Sequence, residues 1–246
     1  MSLPVDPPPT DAEDFSVHYS GGNIAATRIK SEAHGLLILY CGGNTFRLRS
    51  EGGAAARKLD SFGDVILFDY PGYGDTDGLA TIANFQAASE AMATATREQA
   101  DAEGLTVVAW GHSLGGAVCS DAARAADADL LVLETTPPGA QALIDSRLGL
   151  LRPFVRVDLD PAFAAFDVAR SLNGYRGRIV VLEAGRDETL PPVLNRRLAE
   201  TLRAQGHEIE LLSFPEADHH SIGMQTDFIA RLDEIVHHRR GFDFQE

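Results

Sequence analysis

Short, uninterrupted apolar runs alternate with longer amphipathic or alanine-rich stretches along most of the chain. Apolar runs of this length are typical of strands buried on both faces, and they cover residues 35–40, 64–70, 105–110, 130–134 and 178–183. The stretches between and after them predict helices at 51–59, 82–103, 114–126, 191–205 and 221–236. Buried strands that alternate with helices indicate βαβ units. The pattern therefore predicts an α/β fold, with a mostly parallel central sheet and helices on both faces.

Two segments with a different pattern lie at the ends of this region. Residues 15–19 and 23–29 flank Ser20-Gly21-Gly22, and together they predict an antiparallel hairpin before the parallel strands. Residues 207–214 alternate between polar and apolar positions and predict a strand near the edge of the sheet. Because the carboxyl ends of parallel strands share one edge, the residues just after each buried run are the place to look for chemistry.

The domain organisation follows from the absence of repeats and linkers. We interpret residues 15–246 as a single domain, with a short, less regular insertion at about 139–176. Residues 1–14 contain four prolines, which deny the segment regular hydrogen bonding and predict a flexible leader.

Composition narrows the class of protein. Apolar residues make up 44% and charged residues 23% of the 246 residues, which excludes wholesale disorder and a collagen-like chain. A net charge of -15 disfavours nucleic acid and anionic membrane surfaces as partners. No apolar run approaches the roughly 18 to 20 residues that span a bilayer, so membrane insertion is not predicted. Two cysteines cannot form a disulfide framework, and without a secretory signal pattern we expect a cytoplasmic protein.

A candidate nucleophile follows the run at 105–110. Gly111-His112-Ser113-Leu114-Gly115 fits the pattern G-x-S-x-G, placed between a predicted strand and a predicted helix. A turn of this kind exposes the middle residue at the top of the sheet, next to the N–H groups of the helix N-terminus. The sequence therefore predicts Ser113 as a nucleophile, provided that a base lies nearby.

The base and its acidic partner are sought in the other loops at the same edge. His219 and His220 follow the last predicted strand, and the residues alone leave both open as the base. His112 is a neighbour of Ser113 and is poorly placed to act as its base. Asp187 follows the run at 178–183 and is the preferred acid, with Glu188 and Glu134 as alternatives.

These residues resemble the α/β-hydrolase superfamily over about residues 15–236. Besides Gly111 to Gly116, the segment from Asp69 to Gly78 is similar to the family's D-x-x-G-x-G-x-S-x-G, with Thr76 where serine is usual. The chain order Ser113, Asp187, His219 is the order that this family uses. The resemblance implies a serine hydrolase of the small, cap-less kind, with His219 as the base and no metal or other cofactor.

The resemblance also implies an oxyanion hole, which needs two backbone donors. Leu114, after the nucleophile, supplies one N–H, and we expect Gly43 to supply the other. Cys41 replaces the histidine that is usual in this loop, which leaves open how the loop is held. Its place at a strand end predicts enough exposure to react, but no feature that would lower its pKa is predicted beside it, so a small packing residue is the preferred interpretation. Cys119, within the following helix, is predicted to lie in the core.

Substrate selectivity in this fold comes from the insertion, which is too short here for a large cap. Its residues Leu148, Phe154 and Phe163 are candidates for an acyl pocket, together with Asn44 and His112; packing on the sheet is the alternative for the apolar ones.

We predict a hydrolase that cleaves carboxylic esters through an acyl-enzyme on Ser113. An acyl thioesterase is the first alternative. A hydrolase-fold protein that binds a small ligand with little turnover is the second. In each case a small molecule is the expected partner, and the oligomeric state is left open.

Overall fold

The computed structural model describes residues 5–148, 157 and 166–237. The strands are β1 (Glu13–Tyr19), β2 (Gly22–Ile29), β3 (Leu36–Cys41), β4 (Asp64–Phe68), β5 (Thr106–His112), β6 (Leu130–Glu134), β7 (Arg178–Ala184) and β8 (Ile209–Phe214). The helices are α1 (Leu48–Leu59), α2 (Ile82–Glu103), α3 (Gly115–Ala125), α4 (Ala140–Leu148), α5 (Val168–Ser171), α6 (Pro192–Ala204) and α7 (Phe228–His237). A 3₁₀ turn spans Ile222–Met224.

All eight strands join one sheet in the order β1-β2-β4-β3-β5-β6-β7-β8. The first two pairings are antiparallel, and every pairing from β4 to β8 is parallel. The predicted fold class, the N-terminal hairpin and the edge position of the last strand are therefore confirmed. The chain reverses its direction of winding between β3 and β5, and the loops that follow these two strands leave a crevice at the carboxyl edge.

Both faces of the sheet are covered, which explains the uninterrupted apolar runs. Leu37 and Leu39 of β3 pack with residues of α2, α3 and α6, whereas Ile38 and Tyr40 pack with residues of α1 and α7. Each of these side chains is at least 95% buried. Fully burying an aliphatic or aromatic side chain contributes about 1.5 to 3 kcal/mol, so this core holds the strands in a fixed register. Within the described part of the chain, no helix is both long and apolar enough to cross a membrane.

The start of α1 differs from the prediction because a distant residue caps it. The helix begins at Leu48 rather than at residue 51, since the Leu48 N–H donates to Asp69 Oδ1 at 2.8 Å. Strand β4 ends at Phe68, directly before Asp69 and two residues earlier than predicted. Asp69 is almost fully buried, and its carboxylate ties the loop after β3 to the loop after β4.

The predicted closing helix is divided in two. Ile222–Met224 forms a 3₁₀ turn, and α7 begins only at Phe228. Gly223 packs against the stem of Lys58 on α1, and a Cβ at this glycine would lie 2.6 Å from Lys58 Cδ. The turn is therefore held close to α1.

Residues 5–12, predicted as part of a flexible leader, run along α1. The Asp6 N–H donates to the Ser50 carbonyl at 3.1 Å, and the Gly53 N–H donates to the Asp6 carbonyl at 2.8 Å. The Asp6 carboxylate pairs with Arg57 at 2.7 Å. Regular structure begins at Glu13, two residues before the predicted domain boundary.

Candidate active site

Ser113 lies in a sharp turn between β5 and α3. Its φ is 55°, an uncommon value for a residue other than glycine and one that carries local strain. Neighbouring glycines allow the turn: a Cβ at Gly115 would collide with the Cys41 carbonyl, and one at Gly116 with Thr136. The Ser113 N–H donates to the Glu134 carbonyl at 2.8 Å, which anchors the turn to β6. The side chain is thereby fixed at the carboxyl edge of the sheet.

Three side chains from separate loops meet at this point. His219 Nε2 lies 3.0 Å from Ser113 Oγ, and His219 Nδ1 lies 2.7 Å from Asp187 Oδ2. The carboxylate can only accept, so Nδ1 carries the proton and Nε2 is left to accept the hydroxyl proton. His219 and Asp187 are 6% and 4% exposed, so these bonds are shielded from water.

Backbone contacts fix the loop of Asp187. Its second oxygen, Oδ1, accepts the N–H groups of Thr189 and Leu190 at 2.9 and 2.7 Å. The Arg186 N–H donates to the Ala217 carbonyl at 2.8 Å, which joins this loop to the one that carries His219. The carboxylate therefore has a single orientation, with Oδ2 directed at the imidazole.

The alternatives left open by the sequence occupy other positions. Glu188 is exposed, and the Glu134 carboxylate is buried beside Lys58 and Trp110 instead of facing His219. His220 is also exposed, and its ring packs edge-on against that of His219 with 4.8 Å between centroids. It is His219, therefore, that lies between a carboxylate and Ser113.

The predicted oxyanion donors flank Ser113. Leu114 is the residue before the first turn of α3, and Gly43 lies so close that a Cβ there would be 3.7 Å from Ser113 Cβ. In the described part of the chain, no carbonyl or side chain accepts the N–H of either residue. The Tyr70 hydroxyl donates to the Gly42 carbonyl at 2.6 Å and holds the Gly43 loop from below.

Cys41 is not a free thiol: its interpretation as a small packing residue agrees with its burial, whereas the exposure expected at this strand end is wrong. It is fully buried and forms a disulfide with Cys119 of α3, with 5.7 Å between the Cα atoms. The expectation that Cys119 lies in the core is confirmed. The bond links the end of β3, just before the Gly43 loop, to the helix that follows Ser113.

The candidate pocket residues are only partly described. Asn44 is exposed, and its Oδ1 accepts the Tyr73 hydroxyl at 3.2 Å. Leu148 is half-buried at the end of α4. Phe154 and Phe163 lie outside the described residues. In the described part of the chain, no group of three or more His, Cys, Asp or Glu side chains is arranged to hold a metal ion.

His112 is placed behind the imidazole of His219. Its Nε2 lies 2.9 Å from the His219 carbonyl oxygen, which can only accept, so Nε2 carries a proton. Burial lowers the pKa of His112 to about 4, despite the opposing effect of Glu134. His112 is therefore neutral at pH 7 and supports the loop of His219 through one hydrogen bond.

The lowered pKa of His112 predicts a pH dependence of stability. The unfolded chain binds this proton near pH 6.5 but the folded chain only near pH 4, so protonation favours unfolding. The contribution of neutral His112 to the free energy of unfolding is fully present above pH 6.5, and it is lost as the pH falls towards 4. On acidification from pH 7 to pH 4.5, we expect protonation of His112 to lower the free energy of unfolding by about 2 to 3 kcal/mol. Urea unfolding of wild type and His112→Gln at both pH values measures this.

The matched control is His18→Gln, on the exposed side of β1. This variant should lose as much stability as wild type on acidification. His112→Gln should lose less, by the stated amount. Equal losses in wild type and His112→Gln would contradict the assignment.

A comparison of the sequence with models of protein families agrees with the fold described above. The model of the alpha/beta hydrolase family matches residues 33–176, more than half of the chain. The chain belongs to this family. The resemblance inferred from the sequence is confirmed. No curated protein matches the sequence of this α/β-hydrolase.

Solved structures with the same fold include several hydrolases. An α/β serine hydrolase without a lid, from Xanthomonas campestris, is 17% identical and superimposes with a TM-score of 0.67, covering 94% of this chain and 98% of that one. A Pyrococcus furiosus esterase is 15% identical, with a TM-score of 0.70 and coverage of 96% and 98%. Est1E of Butyrivibrio proteoclasticus, with ferulic acid bound, is 16% identical, with a TM-score of 0.63 and coverage of 90% and 96%. At these identities the likeness shows the fold of this α/β-hydrolase.

Proposed function

We propose that this α/β-hydrolase is a serine hydrolase that cleaves carboxylic esters through an acyl-enzyme on Ser113. The observation that carries the proposal is the unbroken series of hydrogen bonds from Asp187 through His219 to Ser113. A serine hydroxyl is a weak nucleophile unless a base takes its proton, and this series supplies the base and fixes its orientation.

In the first half of the reaction, Ser113 Oγ attacks the ester carbonyl carbon while its proton passes to His219 Nε2. The carbonyl oxygen becomes an oxyanion, which the N–H groups of Leu114 and Gly43 stabilise. The C–O bond to the alcohol then breaks. The alcohol leaves with the proton from His219, and the acyl group stays on Ser113.

The second half of the reaction releases the acid. His219 takes a proton from water, and the resulting hydroxide attacks the acyl carbon. The bond to Ser113 Oγ breaks, and His219 returns the proton to that oxygen. Asp187 remains ionised throughout and stabilises the imidazolium that forms twice in each cycle.

The preference for esters has separate support. Among the solved structures of similar fold are a Pyrococcus furiosus esterase and a protein with ferulic acid, a carboxylic acid, bound. Such similarity makes esters the first substrates to examine.

Matched butyryl substrates test the proposal. We expect turnover of p-nitrophenyl butyrate, with a kcat/KM at least about tenfold above that for butyryl-coenzyme A, which carries the same acyl group as a thioester. The release of p-nitrophenol and of free thiol is followed by absorbance.

Two other results would each contradict the proposal in a different way. A strong preference for the thioester would make the protein an acyl thioesterase. A lack of turnover of both substrates, combined with ligand binding that is unchanged in Ser113→Ala, would favour a binding protein.

A further inference from the structure

The Cys41–Cys119 disulfide joins the two segments that carry the predicted oxyanion donors. Cys41 is the last residue of β3, two residues before Gly43, and Cys119 lies in the second turn of α3, five residues after Leu114. Both cysteine side chains are fully buried. Neither takes a chemical part in the proposed ester cleavage. The presence of Cys41, where the family usually has a histidine, therefore calls for another role.

Steric contact between the two segments restrains them in one direction only. A Cβ at Gly115 would collide with the carbonyl oxygens of Cys41 and Gly42, so the start of α3 already touches this backbone and cannot move closer. The β3–β5 ladder ends at the pair Cys41–Gly111. Within the described residues, no hydrogen bond joins residues 42–43 to residues 113–125. Contact alone would therefore leave the two segments free to separate.

The disulfide supplies the restraint against separation. It holds the Cα atoms of Cys41 and Cys119 5.7 Å apart through a covalent bond. At the next residue, the buried Tyr70 hydroxyl donates to the Gly42 carbonyl at 2.6 Å. The backbone is thus tied to α3 at Cys41 and to the loop after β4 at Gly42. Gly43 follows directly, so its N–H group has little freedom to move relative to that of Leu114.

The spacing of these two N–H groups matters for the proposed chemistry. Both must lie about 2.7 to 3.1 Å from the oxygen that becomes negatively charged, and they belong to different segments of the chain. A misplacement of about 1 Å can lower a rate by about 100-fold. Because the full negative charge develops only in the transition state, substrate binding should be much less sensitive to the same displacement. A restraint on this spacing should act on kcat rather than on KM.

We propose that the Cys41–Cys119 disulfide is a positioning group that fixes the spacing between the N–H groups of Gly43 and Leu114. The proposal rests on the acyl-enzyme mechanism proposed above. It gives Cys41 a role at the oxyanion loop that depends on Cys119, a residue 78 positions further along the chain.

Removal of both sulfur atoms tests the proposal. We expect Cys41→Ala combined with Cys119→Ala to lower kcat for p-nitrophenyl butyrate by about 10- to 100-fold and to change KM by less than about twofold. The two changes are made together so that neither thiol is left without its partner. Assays at low temperature, with circular dichroism of the same samples, ensure that only folded protein is compared.

A matched control separates positioning from stability. Ile24→Ala removes a fully buried side chain from β2, which pairs with β1 and β4. This variant should be less stable because of the cavity that it leaves, but it should keep the wild-type kcat. A disulfide that only stabilises the fold would leave kcat unchanged in the folded double variant, and this result would overturn the proposal. An equal loss of kcat in Ile24→Ala would overturn it too.

The reduced wild type guards against a double variant that does not fold. A dithiol in urea supplies two electrons and two protons, so the S–S bond breaks into two thiols while the dithiol closes to a disulfide. The urea is then removed with the dithiol present. The kcat of the reduced protein should be lower by the same factor and should recover on reoxidation.

Alkylation with iodoacetamide in urea counts the thiols, and we expect none before reduction and two after it. Two thiols before reduction, or an unchanged kcat after it, would overturn the inference. If neither the double variant nor the reduced protein folds, the bond is a requirement of the fold itself, and a positioning role is overturned as well.

Failure of the proposed function gives a different result, because the oxidised wild type would then cleave no ester. The rate at which a fluorophosphonate labels Ser113 takes the place of kcat in that case, since negative charge develops on the phosphoryl oxygen as it does on a carbonyl oxygen. Labelling that is about 10- to 100-fold slower in the double variant supports the positioning role. Equal rates, or no labelling of the wild type, overturn it.

Discussion

Replacing Ser113 with alanine is expected to lower kcat for p-nitrophenyl butyrate by about 10⁴- to 10⁶-fold. The change removes the atom on which we propose that the acyl-enzyme forms, and what remains is catalysis by the proposed oxyanion donors and by binding alone. A loss of 10⁴-fold corresponds to about 5.5 kcal/mol in the activation barrier. KM should change little, because the hydroxyl is small and its role is in the chemical step.

Covalent labelling gives a second measurement of the same residue. A fluorophosphonate should add once to the wild type, at Ser113, and intact-mass spectrometry should show no adduct on Ser113→Ala. Ser16→Ala, an equivalent change on the exposed side of β1, should keep both activity and label. Labelling of the Ser113→Ala protein at the wild-type rate would place the nucleophile elsewhere.

The turn that carries Ser113, the candidate nucleophile, was predictable because its signal is local. Ser113, the glycines around it, the strand before it and the helix after it are contiguous in sequence, and the strand is an unbroken apolar run. Buried strands such as β6 were predicted with the bounds that the structure has, since burial on both faces leaves a clear pattern.

Contacts between segments that are distant in the sequence could not be predicted from local sequence patterns. Asp69 caps α1 from 21 residues away, and Lys58 meets Glu134 across 76 residues. Lys58 did carry a signal, as one of only two lysines in the chain. Cys41 and Cys119 are separated by 78 residues, and only the packing of α3 against β3 brings them together.

Thr76 shows how a departure from the family pattern can be explained afterwards. Its hydroxyl donates to the Asp69 carbonyl at 2.8 Å and accepts the Ala25 N–H at 2.9 Å. A serine could make the same two bonds, so threonine in place of serine preserves the turn that positions Asp69. Sequence alone gives the residue type but neither partner.

The choice between His219 and His220 depends on how two loops meet. The two residues are adjacent, and either could follow the last strand in a motif of this type. The Arg186–Ala217 backbone bond sets the register between their loop and that of Asp187, and this register brings His219 to the carboxylate. No pattern within either loop specifies that pairing.

His219→Ala is therefore expected to lower kcat by about 10⁴-fold, whereas His220→Ala should lower it by less than tenfold. Without the imidazole of His219, Ser113 keeps its hydroxyl proton and the leaving alcohol has no proton donor. The ring of His220 makes no hydrogen bond to Ser113 or Asp187 in the described structure, so its removal changes only the packing beside the base. Initial rates with p-nitrophenyl butyrate at pH 7.5 compare the two variants directly.

Added imidazole separates a lost base from a damaged fold. Truncation at His219 leaves space between Ser113 and Asp187, and free imidazole that enters it should restore part of the activity in proportion to its concentration. The same addition should do nothing for Ser113→Ala, in which the base is intact and the nucleophile is missing. If His220→Ala were the more damaging change, and the one that imidazole rescued, the assignment of the base would pass to His220, and the proposed orienting role of Asp187 would have to be abandoned with it.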